Sequence, residues 1–430
     1  MRIAVIGAGW AGMAAAVGAS QAGHHVSVFE AARTVGGRAR AVHAQDAATG
    51  KPLVLDNGQH ILIGAYAECL RLMRLVGVDP DKALLRTPLA LVFPDGGGLQ
   101  LPDTAPPLDA LLGIARARGW SAHEKLALLM RAAKWRLQGF ECGANDSVAD
   151  ICQGLPARLM DEFIDPLCVS ALNTLAADSS GQVFLRVLRD SLFSGRGGSN
   201  LLLPRIDLGA MFPQAACDWL SARENTVQMG RRVQSLQRTD AGWLVDGEAF
   251  EAVLLATPSL EAARLVSSAS SGDDPTMRDW AEQAQSLEFG AIATVYLRVR
   301  QSTENKPLLQ HPMTTLRSSK TRPAQFVFDR FQLYGDVGLL AFVVSAFDGE
   351  RESLVEQVIE QAAEQLGLRD LEHIQTVVEK RATFACTPGL KRPAMQIAPG
   401  LLACGDYVAG PYPATLEGAV LNGSAAAALI

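Results

Sequence analysis

The sequence predicts an α/β chain, with a parallel sheet built from strand–helix–strand units and a second, α+β domain interleaved with it. Three observations predict this. The chain opens on the apolar run Ile3–Ile6, passes through the turn Gly7-Ala8-Gly9-Trp10-Ala11-Gly12 into an alanine-rich segment, and alternates from His25 to Glu30. Further short strand-like segments with turn signals at Asp240-Ala241-Gly242 and Asp246-Gly247 lie far along the chain, within residues 226–257. At 430 residues the chain exceeds one ordinary domain, since domains average ~150 residues.

Each part of the opening unit has a physical reason. A short apolar run reads as a buried parallel strand. Gly7 permits the tight turn, Gly9 lets the backbone approach a pyrophosphate, and Gly12 lets the helix lie close to the strand. Trp10 and Ala11 stand at the helix start, where free N–H groups and the positive dipole end favour phosphate. Glu30, at the end of the second strand, is placed to accept hydrogen bonds from ribose hydroxyls. The unit therefore reads as a Rossmann-like dinucleotide site; a structural turn without ligand is the bland alternative. An acid at position 30 favours the unphosphorylated ribose of FAD or NAD over NADP.

Composition narrows the partners. Lys plus Arg number 39 against 45 Asp plus Glu, a balance that argues against a nucleic-acid binder. Seven scattered cysteines with no C-x-x-C pair fit reduced thiols and a cytoplasmic location, and no residue pattern suggests a metal site. Mean hydropathy is +0.12 although no apolar run is long enough to span a bilayer, so the apolar excess needs a large core, an apolar ligand or a membrane-surface contact.

Residues 111–140 carry six Lys or Arg and one Glu. Ser121 and Glu124 form a capping box that opens a helix over about 121–138. Leu126, Leu129, Met130, Ala133 and Leu137 share one face, with Leu128 and Trp135 nearly opposite. Two readings stand. Either Trp135 and its neighbours form a membrane-surface patch flanked by cations, or the helix packs between two elements.

Dispersed segments carry a resemblance. Val35-Gly36-Gly37-Arg38-Ala39-Arg40, Leu55-Asp56-Asn57-Gly58-Gln59-His60, Cys404-Gly405-Asp406-Tyr407 and Leu416-Glu417-Gly418-Ala419-Val420 occur in that order. They resemble the signature of the flavoprotein superfamily of amine oxidases, protoporphyrinogen oxidases and phytoene desaturases. The resemblance implies FAD, held noncovalently because the context of Cys386 does not resemble a flavin attachment site. It places Gly36, Gly37 and Arg38 past the pyrophosphate and flavin, Gly58, Gln59 and His60 near the flavin, and Val233 at the adenine pocket. It gives Gly405 and Asp406 the ribityl and phosphate region, and aims the helix start at Gly418, Ala419 and Val420 at the flavin pyrimidine ring. It also implies a discontinuous flavin domain of residues 1–75, 205–270 and 395–430, with a substrate domain of 76–204 and 271–394. Within these, 267–274 reads as a loop, 291–300, 324–330 and 337–347 as strands, and 350–366 as a helix.

The segment 161–205 narrows the resemblance. Phe163, Pro166, Leu167 and Cys168, then Ala171, Leu172, Asn173 and Thr174, then Leu201, Leu202, Leu203, Pro204 and Arg205 resemble the squalene-associated, desaturase-like flavoproteins assigned as bacterial hydroxysqualene dehydroxylases. This implies reduction of hydroxysqualene to squalene and water in squalene and hopanoid biosynthesis. Phe163, Leu167, Asn173 and Leu203 are then substrate-contact candidates. Departure of the allylic hydroxyl needs a proton, for which His60 and Asp165 are candidates, and leaves a cation that the faces of Tyr407 and Tyr412 can stabilise. The sequence does not identify an electron donor. An isoprenoid desaturase or amine oxidase, and a non-catalytic prenyl-binding protein of the same fold, remain as competing readings.

Overall fold

A computed structural model describes residues 1–45, 50, 52–193, 195–269, 274–300 and 305–430. The opening unit folds as β1 (Arg2–Ile6), α1 (Trp10–Gln21) and β2 (His25–Glu30). β1 and β2 pair in parallel from Arg2 opposite His25 to Ile6 opposite Phe29. Residues 3–6 and 26–29 are buried, as strands covered on both faces must be.

The sheet containing them has six strands, in the order Thr226–Met229, β2, β1, Ala252–Leu255, Leu401–Ala403 and Gln396–Ala398. All neighbours are parallel except the last pair. Three remote stretches of chain thus build one Rossmann-like sheet. The C-terminal helix Leu416–Ala428 packs on α1 at backbone distance, because glycine faces it: a Cβ on Gly423 would stand 2.2 Å from the Ala11 carbonyl oxygen.

The α+β part centres on a five-stranded antiparallel sheet, ordered Met313–Thr315, Phe326–Asp329, Leu339–Phe347, Phe289–Val299 and Leu371–Phe384. Side chains alternate across it. Val327, Phe342 and Val344 pack with Leu354, Val358 and Ala362 of the helix Arg351–Leu366. Phe326, Phe328 and Val343 face the other way, into a cavity.

The three strands and the helix expected between 291 and 366 are present with ends shifted by a few residues. The longest strand of the sheet, Leu371–Phe384, carries too many exposed polar residues to stand out as an apolar run. Of the expected loop at 267–274, residues 267–269 belong to the helix Ser259–Ala269, and 270–273 lie outside the described residues.

Helix Ala122–Leu137 has the capping box, with Glu124 N–H donating to Ser121 Oγ at 3.3 Å and Ser121 N–H to Glu124 Oε2 at 2.6 Å. Its faces are the reverse of the membrane expectation. Trp135 and Leu128 are 4% and 2% exposed in the core, whereas Met130 and Leu137 are 65% and 89% exposed. Trp135 therefore serves packing and is unavailable to a surface contact. No helix among the described residues is long and apolar enough to cross a membrane.

Candidate active site

The two sheets meet around a cavity of about 760 Å³. One end is built by the glycine turn. The Gly7 N–H donates to the Phe29 carbonyl at 2.8 Å, and the Gly36 N–H to the Ala8 carbonyl at 2.9 Å, so the two glycine segments lie side by side. Gly7 has φ +112°, where an L side chain is strained, and its Cβ would meet the Ala256 carbonyl oxygen at 2.6 Å. A Cβ on Gly12 would stand 1.9 Å from the Gly7 carbonyl oxygen, so α1 abuts the strand end only because residue 12 is glycine. No side chain caps α1 and its first turn holds no acid. Its first amides therefore face the cavity without a protein anion, as a phosphate site requires.

Charged groups fasten the surrounding loops. Glu30 accepts from the Ala8 N–H at 2.7 Å and the Ala32 N–H at 2.8 Å, fixing the turn from the strand end. Arg38 pairs with buried Asp406 and donates to the Ala382 carbonyl at 3.1 Å, tying the Gly-Gly-Arg loop to the C-terminal Gly-Asp loop. Asp406 is thus an ion-pair partner as well as a wall residue. Val233 lines the same end, with its carbonyl accepting from Arg264 at 2.9 Å. Gly9, Trp10, Ala11, Gly37, Gly58, Gln59, Gly405 and Ala419 also lie on the wall.

The C-terminal helix needs a correction. The Ala419 N–H donates to the Thr415 carbonyl at 3.0 Å and the Gly418 N–H to Thr415 Oγ1 at 2.9 Å, while Val420 is buried off the wall. These amides are committed. The first-turn amides, Leu416 and Glu417, are the ones without an i−4 carbonyl inside the helix, and Leu416 is on the wall. Gly418 instead serves close packing, since its Cβ would stand 1.8 Å from the Tyr412 carbonyl oxygen.

The other end is apolar, lined by Leu89, Leu91, Leu167, Ile292, Met313 and Phe328 among others. Of the candidates in segment 161–205, Leu167 lies on the wall; Phe163, Asp165 and Leu203 do not. Asp165 is two residues before Leu167 on one helix, about 200° around its axis. Burial and neighbouring Asp161 raise its carboxyl above the usual range, but away from the cavity. Phe163 lies in a π-helical turn, Met160–Ile164, whose wider spacing takes it off the Leu167 face and onto Trp120, ring centroids 6.0 Å apart. Leu203 is packed in the core within strand Leu201–Pro204. Asn173 reaches the wall with its amide occupied: it donates to Thr383 Oγ1 at 3.0 Å and accepts from the Ala346 N–H at 2.8 Å.

His60 lines the cavity, yet burial, with the Arg38 charge adding to it, lowers its pKa to about 4. At neutral pH the imidazole is uncharged, which disfavours it as the proton donor. The sign for stability follows: the native state resists protonation, so this contribution is full above pH 6.5 and is lost as pH falls toward 4. Chemical denaturation at pH 7 and pH 5 is expected to show a smaller acid loss in His60→Gln than in the wild type. Equal losses would remove His60 from the account.

Tyr407 and Tyr412 are both on the wall. Tyr407 is buried; Tyr412 donates through Oη to Asp190 Oδ2 at 2.9 Å. Sequence reading missed Asp190 because no motif marks it; only the fold brings helix Gly181–Leu192 against Tyr412. No described cysteine lines the cavity, and Cys386 is buried away from it with its thiol pushed up to about 12. No group of His, Cys, Asp and Glu among the described residues could hold a metal.

Residues 10–430 match the family described as flavin containing amine oxidoreductase, and the chain belongs to that family. It is 29% identical to a hydroxysqualene dehydroxylase of Rhodopseudomonas palustris, covering 99% of this chain and 97% of the relative. It is 27% identical to that of Sinorhizobium fredii, with 99% and 97% covered. An oxidoreductase structure from Methanosarcina mazei superposes with a TM-score of 0.72 at 18% identity, covering 99% of both chains. The protein is a flavin-dependent oxidoreductase with a Rossmann-like dinucleotide fold and an interleaved α+β part.

Proposed function

We propose that this flavoenzyme is an FAD-dependent hydroxysqualene dehydroxylase that converts hydroxysqualene to squalene, with FAD held noncovalently. The end-to-end match to enzymes of that name carries the reading. A cavity running from the glycine turn to an apolar wall supports it, because a hydrocarbon chain needs such a wall beside the cofactor. That no cysteine among the described residues lines the wall supports noncovalent binding. We assign residues 1–75, 205–270 and 395–430 to the flavin unit and 76–204 and 271–394 to the substrate unit.

Reduced FAD supplies the hydride that replaces the hydroxyl. The chain does the rest. The first amides of α1 take the pyrophosphate, and Glu30 takes the ribose by exchanging its hydrogen bonds with the turn. The faces of Phe326 and Phe328 and the apolar wall exclude water and align the substrate. Tyr407 and Tyr412 present aromatic rings to the developing allylic cation. The test is anaerobic: protein reduced chemically and mixed with hydroxysqualene is expected to reoxidise and yield squalene. Reduction of the oxidised protein by a saturated isoprenoid, with no squalene from the reverse experiment, would mark a desaturase instead.

The reading includes a peripheral contact with the cytoplasmic face of the membrane, where this substrate dissolves. Of the ten exposed large apolar side chains among the described residues, five lie on two adjacent helices: Leu108 and Leu111 on Leu108–Arg116, and Leu126, Met130 and Leu137 on Ala122–Leu137. Lys125 Nζ ties these helices by donating to the Ala115 carbonyl at 2.9 Å, and Arg116, Arg118, Lys134 and Arg136 are exposed around them. Apolar side chains ringed by cations suit an anionic lipid surface. The first helix packs on the hairpin Ala90–Val92/Gly98–Gln100, which carries Leu91 into the cavity, so the patch and the apolar end are separated by one hairpin.

A further inference from the structure

Five acidic residues among those described line the cavity: Glu30, Asp190, Glu261, Glu379 and Asp406. Four are engaged with the loops of the nucleotide end. Glu30 holds the Ala8 and Ala32 amides, Glu261 pairs with Arg232 and Arg264, Glu379 with Arg40, and Asp406 with Arg38. Asp190 differs, because its cavity-side partner is a neutral hydroxyl, Tyr412 Oη at 2.9 Å. Its other contact is Arg189, with Nε 2.7 Å from Oδ1. Asp190 and Tyr412 also line a second, smaller pocket of about 280 Å³ with Ala65, Arg189 and Phe193. In that pocket Arg189 is 47% exposed and Asp190 24% exposed. The pair therefore forms a partition, with the large cavity on one side and a pocket reaching partly exposed residues on the other.

We propose that Asp190 and Tyr412 form the proton entry of the site, with Tyr412 the catalytic acid toward the departing hydroxyl and Asp190 its positioning and reprotonating partner. This rests on the dehydroxylase reading. The allylic C–O bond breaks as the leaving oxygen takes the Tyr412 phenolic proton and departs as water. Hydride from reduced flavin forms the new C–H bond, so the carbon gains two electrons and the flavin loses two. Tyr412 then recovers its proton from solvent through the smaller pocket, with the Asp190 carboxylate taking up that proton and handing it on as the hydrogen bond re-forms, and Arg189 keeps Asp190 aligned. Asp165 is off the wall and His60 is uncharged at neutral pH, which disfavours both as the proton source.

The charged and titratable groups that bear on Tyr412 are Asp190, Arg189, Glu417 and Tyr66. Burial, followed by the hydrogen bond to Asp190 and its charge, raises the phenol.

The experiment uses the flavin-loaded full chain, reduced anaerobically and mixed with hydroxysqualene in H₂O and in D₂O across a pH series. Tyr412→Phe and Asp190→Asn are expected to slow squalene formation about 100-fold or more, the usual weight of general acid catalysis, with flavin content unchanged. The wild-type rate is expected to fall as pH rises and to carry a solvent isotope effect. Asp190→Asn should move that fall to lower pH, because the Tyr412 phenol then loses the carboxylate that raises it, and Asp190→Glu should recover part of the rate. Independently of turnover, ultraviolet titration should find the Tyr412 phenol ionising at lower pH in Asp190→Asn, because the raising carboxylate is gone. Both variants turning over within about twofold of the wild type would overturn the proton entry alone. A reduced wild type that leaves hydroxysqualene unchanged would overturn the dehydroxylase reading and this proposal with it.

Discussion

Gly12→Ala is expected to give a protein that purifies without flavin, while Gly23→Ala keeps it. Gly12 lies in the first turn of α1 and Gly23 two residues past its end, so helix propensity alone favours alanine at 12. Geometry reverses this. The Cβ on residue 12 would stand 1.9 Å from the Gly7 carbonyl oxygen and 2.9 Å from the Ala256 Cβ, and the obstruction is largely backbone. The turn must shift, costing at least the ~1–3 kcal/mol of an overpacked core. The shift also displaces the amides at the α1 start. Flavin content is expected to fall about tenfold or more, since each ~1.4 kcal/mol is a factor of ten in affinity. Gly23 has φ +85° with nothing within 4 Å of its Cβ, so alanine there meets only the ~1–2 kcal/mol of left-handed strain. Absorbance of the purified proteins and flavin released on denaturation check this. Stoichiometric flavin in Gly12→Ala, with an unchanged melting temperature, would mean that the turn is not the phosphate site.

On the helix Ala122–Leu137, the two faces are expected to respond oppositely to the same substitution. Trp135→Glu should destabilise the fold by about 3–5 kcal/mol or more, the cost of emptying a large aromatic site, with a buried carboxylate added. Trp135 is 4% exposed and belongs to the main core. The triple variant Leu126→Glu/Met130→Glu/Leu137→Glu should melt within a few degrees of the wild type, because all three side chains are exposed. It should lose at least about tenfold in binding to vesicles containing anionic phospholipid, since each large apolar side chain contributes ~1.5–3 kcal/mol when fully buried and three charges now oppose the surface. Sedimentation with such vesicles, beside thermal melts, separates the effects. Unchanged vesicle binding by the triple variant would remove the membrane contact from the proposed function.

These two cases show where sequence is legible. Gly12 could be read because strand, turn and helix are local, and the spacing of Gly7, Gly9 and Gly12 reports a backbone contact between near neighbours. Trp135 could not, because helical spacing defines two apolar faces without saying which one meets the core. The same limit misplaced Asp165 and Phe163. Proximity to Leu167 in the chain suggested a shared surface, but helical phase turns Asp165 away and one π-helical turn diverts Phe163. The amides of Ala419 and Val420 failed for a related reason: the helix starts three residues before Ala419, which places that amide inside the hydrogen-bonded ladder.

The sequence by itself determined the parallel sheet, the glycine turn, the acid at its second strand and the set of separated segments that meet on one cavity. All of these rest on contacts within about thirty residues or on motifs whose order is preserved along the chain. Tertiary structure alone decided which helix face is wet, which half of the α+β sheet lines the cavity, and which carboxylate stands on its wall. Asp190 and Tyr412 are separated by more than two hundred residues, and their hydrogen bond exists only because two helices and a loop pack together. A side chain's surroundings are set by the whole packed core, and no local pattern carries that information.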